Sequence, residues 1–172
     1  MAVLAATNGE SVPDKAITIA ADLAHQYGEE LIVLHVMPTD VFEAHQKSSG
    51  DEPSNVALTF APEVSYQQGD GRNRASSSSG KQYTIDYAER DAASVSEDVT
   101  KQSVESPGET SYEGRVGNPI EEILDVASRK DPRYIVLGGR KRSPAGKAIF
   151  GSVTQSVLLE AERPVVTVLN EE

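Results

Sequence analysis

Residues 138–157, GGRKRSPAGKAIFGSVTQSV, form the most informative stretch of the sequence. An apolar run at 134–137 stops at Gly138 and Gly139, and a helical pattern begins only at Ser152, so the order is strand, loop, helix. The free amides and the positive dipole end of a helix start attract anions, above all phosphates. The loop also contains four of the sixteen Lys and Arg residues of a chain whose net charge is −11. The stretch therefore predicts an anion site.

The same stretch has two purely structural interpretations. Ser152 and Gln155 have the spacing of a capping box, which satisfies a helix's own amides, and the glycine pair could form only a tight turn. A P-loop is excluded, because six residues rather than four separate the glycine pair from the next Gly-Lys, and Ala148 follows in place of Ser or Thr. The local pattern alone leaves phosphate binding and a plain turn open.

Composition limits the class of protein. A length of 172 residues suits one domain, and we expect residues 1–172 to form it. The absence of cysteine excludes disulfides, thiolate zinc sites and thiol nucleophiles. Twenty-seven acidic against sixteen basic residues disfavour nucleic acid as a partner. The first residues lack the basic part of a signal peptide and no apolar run reaches the length of a membrane span, so we expect a cytoplasmic protein without a membrane partner.

Strands and helices alternate along the chain. Apolar runs predict strands at 2–7, 31–37, 111–116, 133–137 and 165–169. Helices are predicted from a capping box of Ser11 and Asp14 to Gly28, over 81–103, onward from a cap at Asn118, and over 153–161. The resulting βαβαβαβαβ order predicts an α/β fold: one doubly wound, five-stranded parallel sheet of strand order 3-2-1-4-5, with helices on both faces.

That strand order predicts where a ligand binds. The topology reverses between strands one and four, and ligands of such sheets lie beyond the carboxyl ends of the strands at this switch point. The two strands end at Thr7, Asn8 and Gly9 and at Gly138 and Gly139. Because this placement is independent of the loop pattern, it favours a nucleotide-type site.

Residues 43–80 interrupt the periodic pattern with Gly, Pro, Asp, Gln and a run of four serines. So long a stretch without regular structure is unusual inside a compact domain. We expect either a disordered insertion or a functional flap beside the ligand, in which only residues 56–60 are apolar enough to fold locally.

The chain resembles the universal stress proteins. Their phosphate loop is a glycine, two residues, a glycine, nine residues, and then Gly-Ser or Gly-Thr; here Gly138, residues 142–150 and Gly151-Ser152 stand at that spacing. The segments GSVTQSVLLEAERPVVTV and VGNPIEEI also resemble the family's last helix and strand and its third helix start. The resemblance covers about residues 1–42 and 81–169.

The resemblance implies an adenine-nucleotide-binding protein of the stress response. The implied ligand is ATP, with ADP and AMP as alternatives and Mg²⁺ as an optional companion ion. It also implies a homodimer that pairs through the last strand, which begins at Val165 and ends at Leu169. By this resemblance Val36 lies beside the adenine, and Gly138, Gly151, Ser152 and Val153 lie beside the phosphates.

Two positions depart from the family pattern. Lys141 replaces the second glycine, where its charge could assist a phosphate or its Cβ could keep the loop away from the ligand. Asn8 replaces an aspartate and can still donate and accept hydrogen bonds. The full candidate nucleotide site is Thr7, Asn8, Gly9, Val36, Gly138, Gly139, Arg140, Lys141, Gly151, Ser152 and Val153.

The sequence gives little support to catalysis and none to a metal site. His35 lies in an apolar strand and is predicted to be a hydrogen-bonded core residue, while His25 and His45 are predicted to be exposed. Three hypotheses follow: a regulatory nucleotide-binding stress protein, a dimeric interaction protein of the same fold whose site Lys141 closes, and an ATP-consuming hydrolase or ligase. The third would need a second pocket and a placed acid or base.

The acidic composition predicts a protein adapted to salt. Few lysines and many carboxylates repel one another in dilute buffer, and salt screens that repulsion over about 3 Å at 1 M. We therefore expect the melting temperature to rise with salt concentration. A melting temperature that is higher in low salt contradicts a halophilic origin.

Overall fold

The computed structural model describes residues 1–48, 83–140 and 150–170. Within these ranges the chain forms five strands and five helices. The strands are β1 Ala2–Thr7, β2 Glu30–Met37, β3 Thr110–Val116, β4 Tyr134–Arg140 and β5 Val165–Asn170. The helices are α1 Lys15–Tyr27, α2 Thr39–Ser48, α3 Ile85–Ser103, α4 Pro119–Lys130 and α5 Ser152–Glu160.

The five strands form one parallel sheet in the order β3-β2-β1-β4-β5, which confirms the predicted topology. β1 lies at the centre, with Ala5 beside Val33 of β2 and Val136 of β4. Seven of the eight residues of β2 are buried, as expected for a strand covered on both faces. The switch of direction between β1 and β4 is therefore present.

Alternate residues of each strand point to opposite faces, and each face packs under its own helices. Val3, Val33 and Val136 lie in the core beneath α1 and α3. Leu4 and Ile135 lie in the core beneath α4 and α5. Because both cores are apolar and fully formed, the sheet is a rigid platform for whatever lies at its carboxyl edge.

The predicted start of α1 at Ser11 is wrong. The helix begins at Lys15, and Asp14 is its N-cap, with extended backbone angles of φ −90° and ψ 109°. The Asp14 carboxylate accepts the hydrogen bond from the Ala16 amide, which an N-cap side chain normally provides. The N-cap of α1 is therefore the buried Asp14 and not Ser11, which the sequence pattern favoured.

Two other predicted helix ends are confirmed. α1 ends at Gly28, which adopts the left-handed conformation with φ 63° that glycine tolerates best. α4 begins after Asn118, whose Oδ1 accepts a hydrogen bond from the Ile120 amide at 2.9 Å, with Pro119 in the first helical position.

Helix α2 was not predicted. None of its residues is buried, and only Val41 and Phe42 pack against a small core that contains Met37. Contacts with Tyr83 stabilise it: the Phe42 ring lies 5.9 Å from the Tyr83 ring, and the His45 ring lies 5.5 Å away. His45 is therefore half-buried and not exposed as predicted, whereas His25 is exposed.

α2 and Tyr83 flank residues 49–82, and we call this pair the stem. The Gln46 side-chain amide reaches the Tyr83 carbonyl at 3.5 Å, and the Tyr83 hydroxyl donates to Asp91 at 2.6 Å. The stem thus holds both flanks of the interruption together beside β2 and β3. The apolar segment 56–60 and the choice between a flap and a spacer lie outside the described residues.

α3 lies unusually close to β3. A Cβ added to Gly114 would be 1.9 Å from the Glu89 carbonyl oxygen and 2.4 Å from the Ala93 amide nitrogen, so only glycine fits there. This approach brings Val95 over the carboxyl end of β1, where a Cβ on Gly9 would be 2.9 Å from it. α3 therefore packs against the loop that follows the carboxyl end of β1.

Candidate functional site

The carboxyl edge of the sheet opens between β1 and β4. The last residues that pair between these two strands are Ala6 and Leu137. β4 continues through Gly138 and Gly139, which pair with β5. The glycine pair is therefore extended strand, and its interpretation as a tight turn is wrong. β4 therefore extends beyond its last pair with β1, and we call the region between the carboxyl ends of these two strands the crevice.

On the β1 side, Thr7 points its hydroxyl into the protein. Its Oγ1 donates to Asp14 Oδ2 at 2.8 Å and accepts from the Gly9 amide at 3.1 Å. Only 7% of Thr7 is exposed. The Thr7 hydroxyl therefore shapes the loop after β1 and is not offered to a ligand.

Asp14 connects this loop to two helices. Its Oδ1 caps α1, and its own amide donates to Ser103 Oγ at the end of α3 at 2.8 Å. Burial raises the pKa of this carboxyl, while the hydrogen bonds from Thr7 and from the first amides of α1 act in the opposite direction. Sequence reasoning treated Asp14 only as part of a capping box and missed its contact with Thr7.

Asn8, which is exposed, and Gly9, which is buried, follow at the lip of the crevice. Asn8 Oδ1 accepts from the Glu10 amide at 3.0 Å, and Asn8 Nδ2 donates to the Glu10 carboxylate at 3.3 Å. This local turn is typical of asparagine after a strand. Gly9 has a φ of 76°, which together with the nearby Val95 requires glycine.

His35 on β2 makes a hydrogen bond to the last residue of β1. Its imidazole is 4% exposed, and Nδ1 lies 3.0 Å from the Thr7 carbonyl, to which it donates. The prediction of a hydrogen-bonded core histidine is confirmed. Burial lowers the pKa of the imidazole, because the interior disfavours the charged form.

Val36 lies next to His35 on β2 but on the other face of the sheet. It belongs to the core beneath α4 and α5 and is 7% exposed. Only a small part of its side chain therefore reaches the carboxyl edge.

On the β4 side, the two glycines differ. Thr154 Oγ1 in the first turn of α5 donates to the Gly138 carbonyl at 3.1 Å, which fixes the helix start beside the end of β4. Gly139 is buried, and a Cβ there would be 3.1 Å from Leu169 and 3.5 Å from Phe150. Gly139 thus permits packing of the strand, whereas Gly138 lies at the crevice.

The start of α5 differs from the predicted capping box. Gly151, not Ser152, is the N-cap, and no side-chain cap bond is formed there. Ser152 is the first helical residue and is exposed, and Val153 is half-buried. The backbone of Arg140 pairs with Asn170, and Lys141 lies outside the described residues.

The family of the chain follows from its comparison with known sequences. A family model described as the universal stress protein family matches residues 1–168. The chain belongs to the universal stress protein family. The predicted resemblance is therefore confirmed over nearly the whole length.

One known protein is similar to a part of this chain. A universal stress protein of Mycolicibacterium smegmatis is 44% identical over 48 residues, which make up 28% of this chain and 37% of that protein. The match to this relative thus spans little more than a third of its length.

Solved universal stress protein structures share the fold over nearly their full length. The protein from Archaeoglobus fulgidus has a TM-score of 0.56 and 25% identity, with 97% of each chain covered. A complex with cAMP has a TM-score of 0.58 and 13% identity, covering 98% of this chain and 96% of that one. An A. fulgidus complex with dAMP has a TM-score of 0.52 and 20% identity, covering 97% and 96%.

Within the described part of this universal stress protein, no group of three His, Cys, Asp or Glu side chains is placed to hold a metal ion. In the same ranges no helix has the length and apolar composition that a bilayer span requires.

We predict that acid destabilises the protein through His35. Because burial lowers its pKa in the folded state, the unfolded chain binds the proton first as the pH falls. The free energy of unfolding should be highest above about pH 6.5, the ordinary pKa of histidine, and fall below it. His35→Asn, whose Nδ2–H can replace the donor to the Thr7 carbonyl, should lack this dependence.

Urea titrations of both proteins between about pH 8 and pH 5.5 measure the effect as a difference. Asp14 has the opposite sign: its raised pKa adds stability in acid, in a lower pH window, and it cancels in the comparison because both proteins contain it. A difference that stays constant with pH would contradict a role for His35.

Proposed function

We propose that this universal stress protein is a regulatory protein that binds an adenine nucleotide, ATP in the first place, in the crevice between β1 and β4. The phosphates lie at the start of α5, and the base lies toward β2. Bound nucleotide alters which partners the protein contacts in the stress response. A cysteine-free, acidic chain is suited to the cytoplasm, where we place this activity.

The start of α5 carries the proposal. It has no side-chain cap bond, and among the described residues no atom lies within 4 Å of a Cβ built on Gly151. The Thr154 bond to Gly138 holds this helix start beside the end of β4, at the topological switch point. A phosphate fits there, because helix-start amides and the helix dipole both favour an anion.

In this proposal, different residues contact the phosphates and the adenine. Ser152 Oγ and the amides of Ser152 and Val153 serve the phosphates, and Arg140 and Lys141 add positive charge. Asn8 and Gly9 line the opposite lip, and Val36 offers the adenine an apolar edge. Mg²⁺, where present, is held by the phosphates and water, as is usual for this ion with nucleotides.

Complexes of two fold neighbours support an adenine nucleotide. One universal stress protein binds cAMP, and that from A. fulgidus binds dAMP. Both ligands contain adenine, a sugar and a phosphate, which is the part of ATP that the crevice has to accept.

Binding rather than catalysis suits the site. In the loop itself, the exposed Glu10 carboxylate accepts a hydrogen bond from Asn8. Asp14 and His35, the two buried titratable groups that contact the end of β1, are 3% and 4% exposed and are used in hydrogen bonds within the protein. Neither is placed to reach a ligand as a general acid or base.

Ser152→Ala should weaken ATP binding by about 1 kcal/mol, or about fivefold, because it removes one hydrogen bond to the phosphates. Isothermal titration calorimetry measures the change. Ser156→Ala, one turn further along the same helix, is the matched control and should bind as the wild type does.

A wild type that binds no ATP at near-millimolar concentration would overturn the proposal and favour a dimeric interaction protein whose site Lys141 closes. Mass spectrometry of gently denatured protein, purified without added nucleotide, identifies any ATP, ADP or AMP that is carried through purification.

We further propose a homodimer that pairs through β5. This strand lies at an edge of the sheet, and Val166 and Val168 are only partly buried in the core. Beside it, α5 exposes 79% of Leu159. An apolar edge strand invites pairing, and a two-fold copy of the same strand covers it.

Val166→Lys should shift the protein from dimer to monomer, because it places a charge in the pairing edge. Sedimentation velocity at micromolar concentration measures the species, and a thermal melt checks that the variant is folded. Ile85→Lys, which adds the same charge at a position on α3 that is 55% exposed, should remain a dimer. A wild type that sediments as a monomer would contradict the proposed homodimer.

A further inference from the structure

A pair of tyrosines lies at the amino edge of the sheet, opposite the nucleotide crevice. Tyr27 is the last residue of α1, and Tyr134 is the first residue of β4. Their hydroxyl oxygens are 3.5 Å apart, and their ring centroids are 5.9 Å apart with an angle of 39° between the planes. Tyr27 is 45% exposed, so the pair is open to small molecules in solvent.

Neighbouring side chains hold the pair in place. The Arg133 guanidinium lies 4.6 Å from the centroid of the Tyr27 ring, a cation–π contact. Glu29 Oε1 accepts from Arg133 Nε at 2.8 Å, and the Arg133 amide donates to the Ala2 carbonyl at 2.7 Å. The Glu29 side chain is only 8% exposed. The geometry of the two rings is therefore set by the fold and not by chance contact on a loose surface.

Composition makes tyrosine the natural site of one-electron oxidation in this chain. There is no cysteine and no tryptophan, which would otherwise compete for such an oxidant. Of the two methionines, Met37 is fully buried, and Met1 is exposed but reacts by two-electron oxidation to the sulfoxide. A one-electron oxidant thus meets tyrosine first.

We propose that Tyr27 and Tyr134 form an oxidative cross-linking site, at which one-electron oxidants join the two rings in an intramolecular dityrosine bond. The oxidants are small radical species, of which two equivalents are consumed, each reduced by one electron. Each phenol loses one electron to the oxidant and its hydroxyl proton to water. The two phenoxyl radicals then couple.

The new bond joins one ring carbon beside the oxygen of Tyr27 to the corresponding carbon of Tyr134. The hydrogen on each of these carbons moves to the phenolic oxygen as the rings become aromatic again. The net change is the loss of two hydrogen atoms. The reacting carbons adjoin the carbons that bear the hydroxyls, and the contacts between the oxygens and between the rings make their approach a matter of small side-chain rotations.

Tyr87 shows what an unpaired tyrosine looks like in the same protein. It is 43% exposed and has Arg90 5.9 Å from its ring centroid, much like Tyr27 and Arg133. Among the described residues, however, no tyrosine ring packs against it. Tyr87 is therefore a control of similar exposure that has no tyrosine partner among the described residues.

The cross-link would join residues that are 107 positions apart in the chain. Tying the end of α1 to the start of β4 restricts the unfolded chain far more than the folded one, because the two residues are already in contact in the folded state. Oxidation at this site therefore stabilises the fold, whereas oxidation of side chains in general damages it.

The experiment treats the full-length protein, at low micromolar concentration, with a photoexcited ruthenium tris(bipyridyl) complex and persulfate. The readouts are dityrosine fluorescence, a mass loss of two hydrogen atoms in the monomer, and a cross-linked peptide that contains both residues. We expect Tyr27→Phe and Tyr134→Phe each to remove the cross-linked monomer, and Tyr87→Phe to retain it. The cross-linked wild type should melt at a higher temperature than the untreated protein.

Tyrosine to phenylalanine is a small change, and a thermal melt before oxidation shows that each variant is folded. Hydrogen peroxide alone, a two-electron oxidant, should add oxygen at Met1 without forming the bond. A monomer cross-link that persists in Tyr27→Phe would overturn the proposal. So would a wild type whose dityrosine joins only separate chains or other tyrosines.

Discussion

The hydrogen bond from the Thr7 hydroxyl to the buried Asp14 carboxylate organises the carboxyl edge of this sheet. Thr7 is the last residue of β1, and Asp14 caps α1, so the bond fixes where the chain leaves the sheet and where the next helix starts. Through its amide Asp14 also contacts α3, and through its carbonyl Thr7 contacts His35 on β2. A buried polar group that lost a partner here would cost about 1–3 kcal/mol, so the loop has little freedom to rearrange.

This constraint explains the division of roles at the proposed site. The side chains that hold the β1 loop point inward and are used within the protein, and Asn8 is exposed at the lip. On the other side of the crevice, the Gly138 carbonyl accepts from Thr154, while Gly139 packs against Leu169 and Phe150. A nucleotide would therefore meet the main-chain amides at the start of α5, beside a rigid sheet. Such a site suits binding and recognition better than proton transfer, which needs a free acid or base.

The order of the strands and the position of the crevice could be predicted from the sequence, because they depend on apolar runs and on general rules of parallel sheets. The start of α1 could not, since Ser11 and Asp14 are both good capping residues and only the buried contact with Thr7 decides between them. Helix α2 was missed because it buries no residue, and its stability comes from contacts with Tyr83, far along the chain. The glycine pair was taken as the end of β4, because no local pattern reveals that β5 continues the ladder beside it.

The stem formed by α2 and Tyr83 lies at the two ends of residues 49–82, beside β2 and β3. Among the described residues, contacts between α2 and Tyr83 hold the two flanks of that stretch together. Closing a longer connection between fixed ends costs little, about 0.6 kcal/mol for each doubling of its length. This position is accordingly a natural point at which to graft a reporter domain, since its two flanks already lie side by side next to the paired strands β2 and β3.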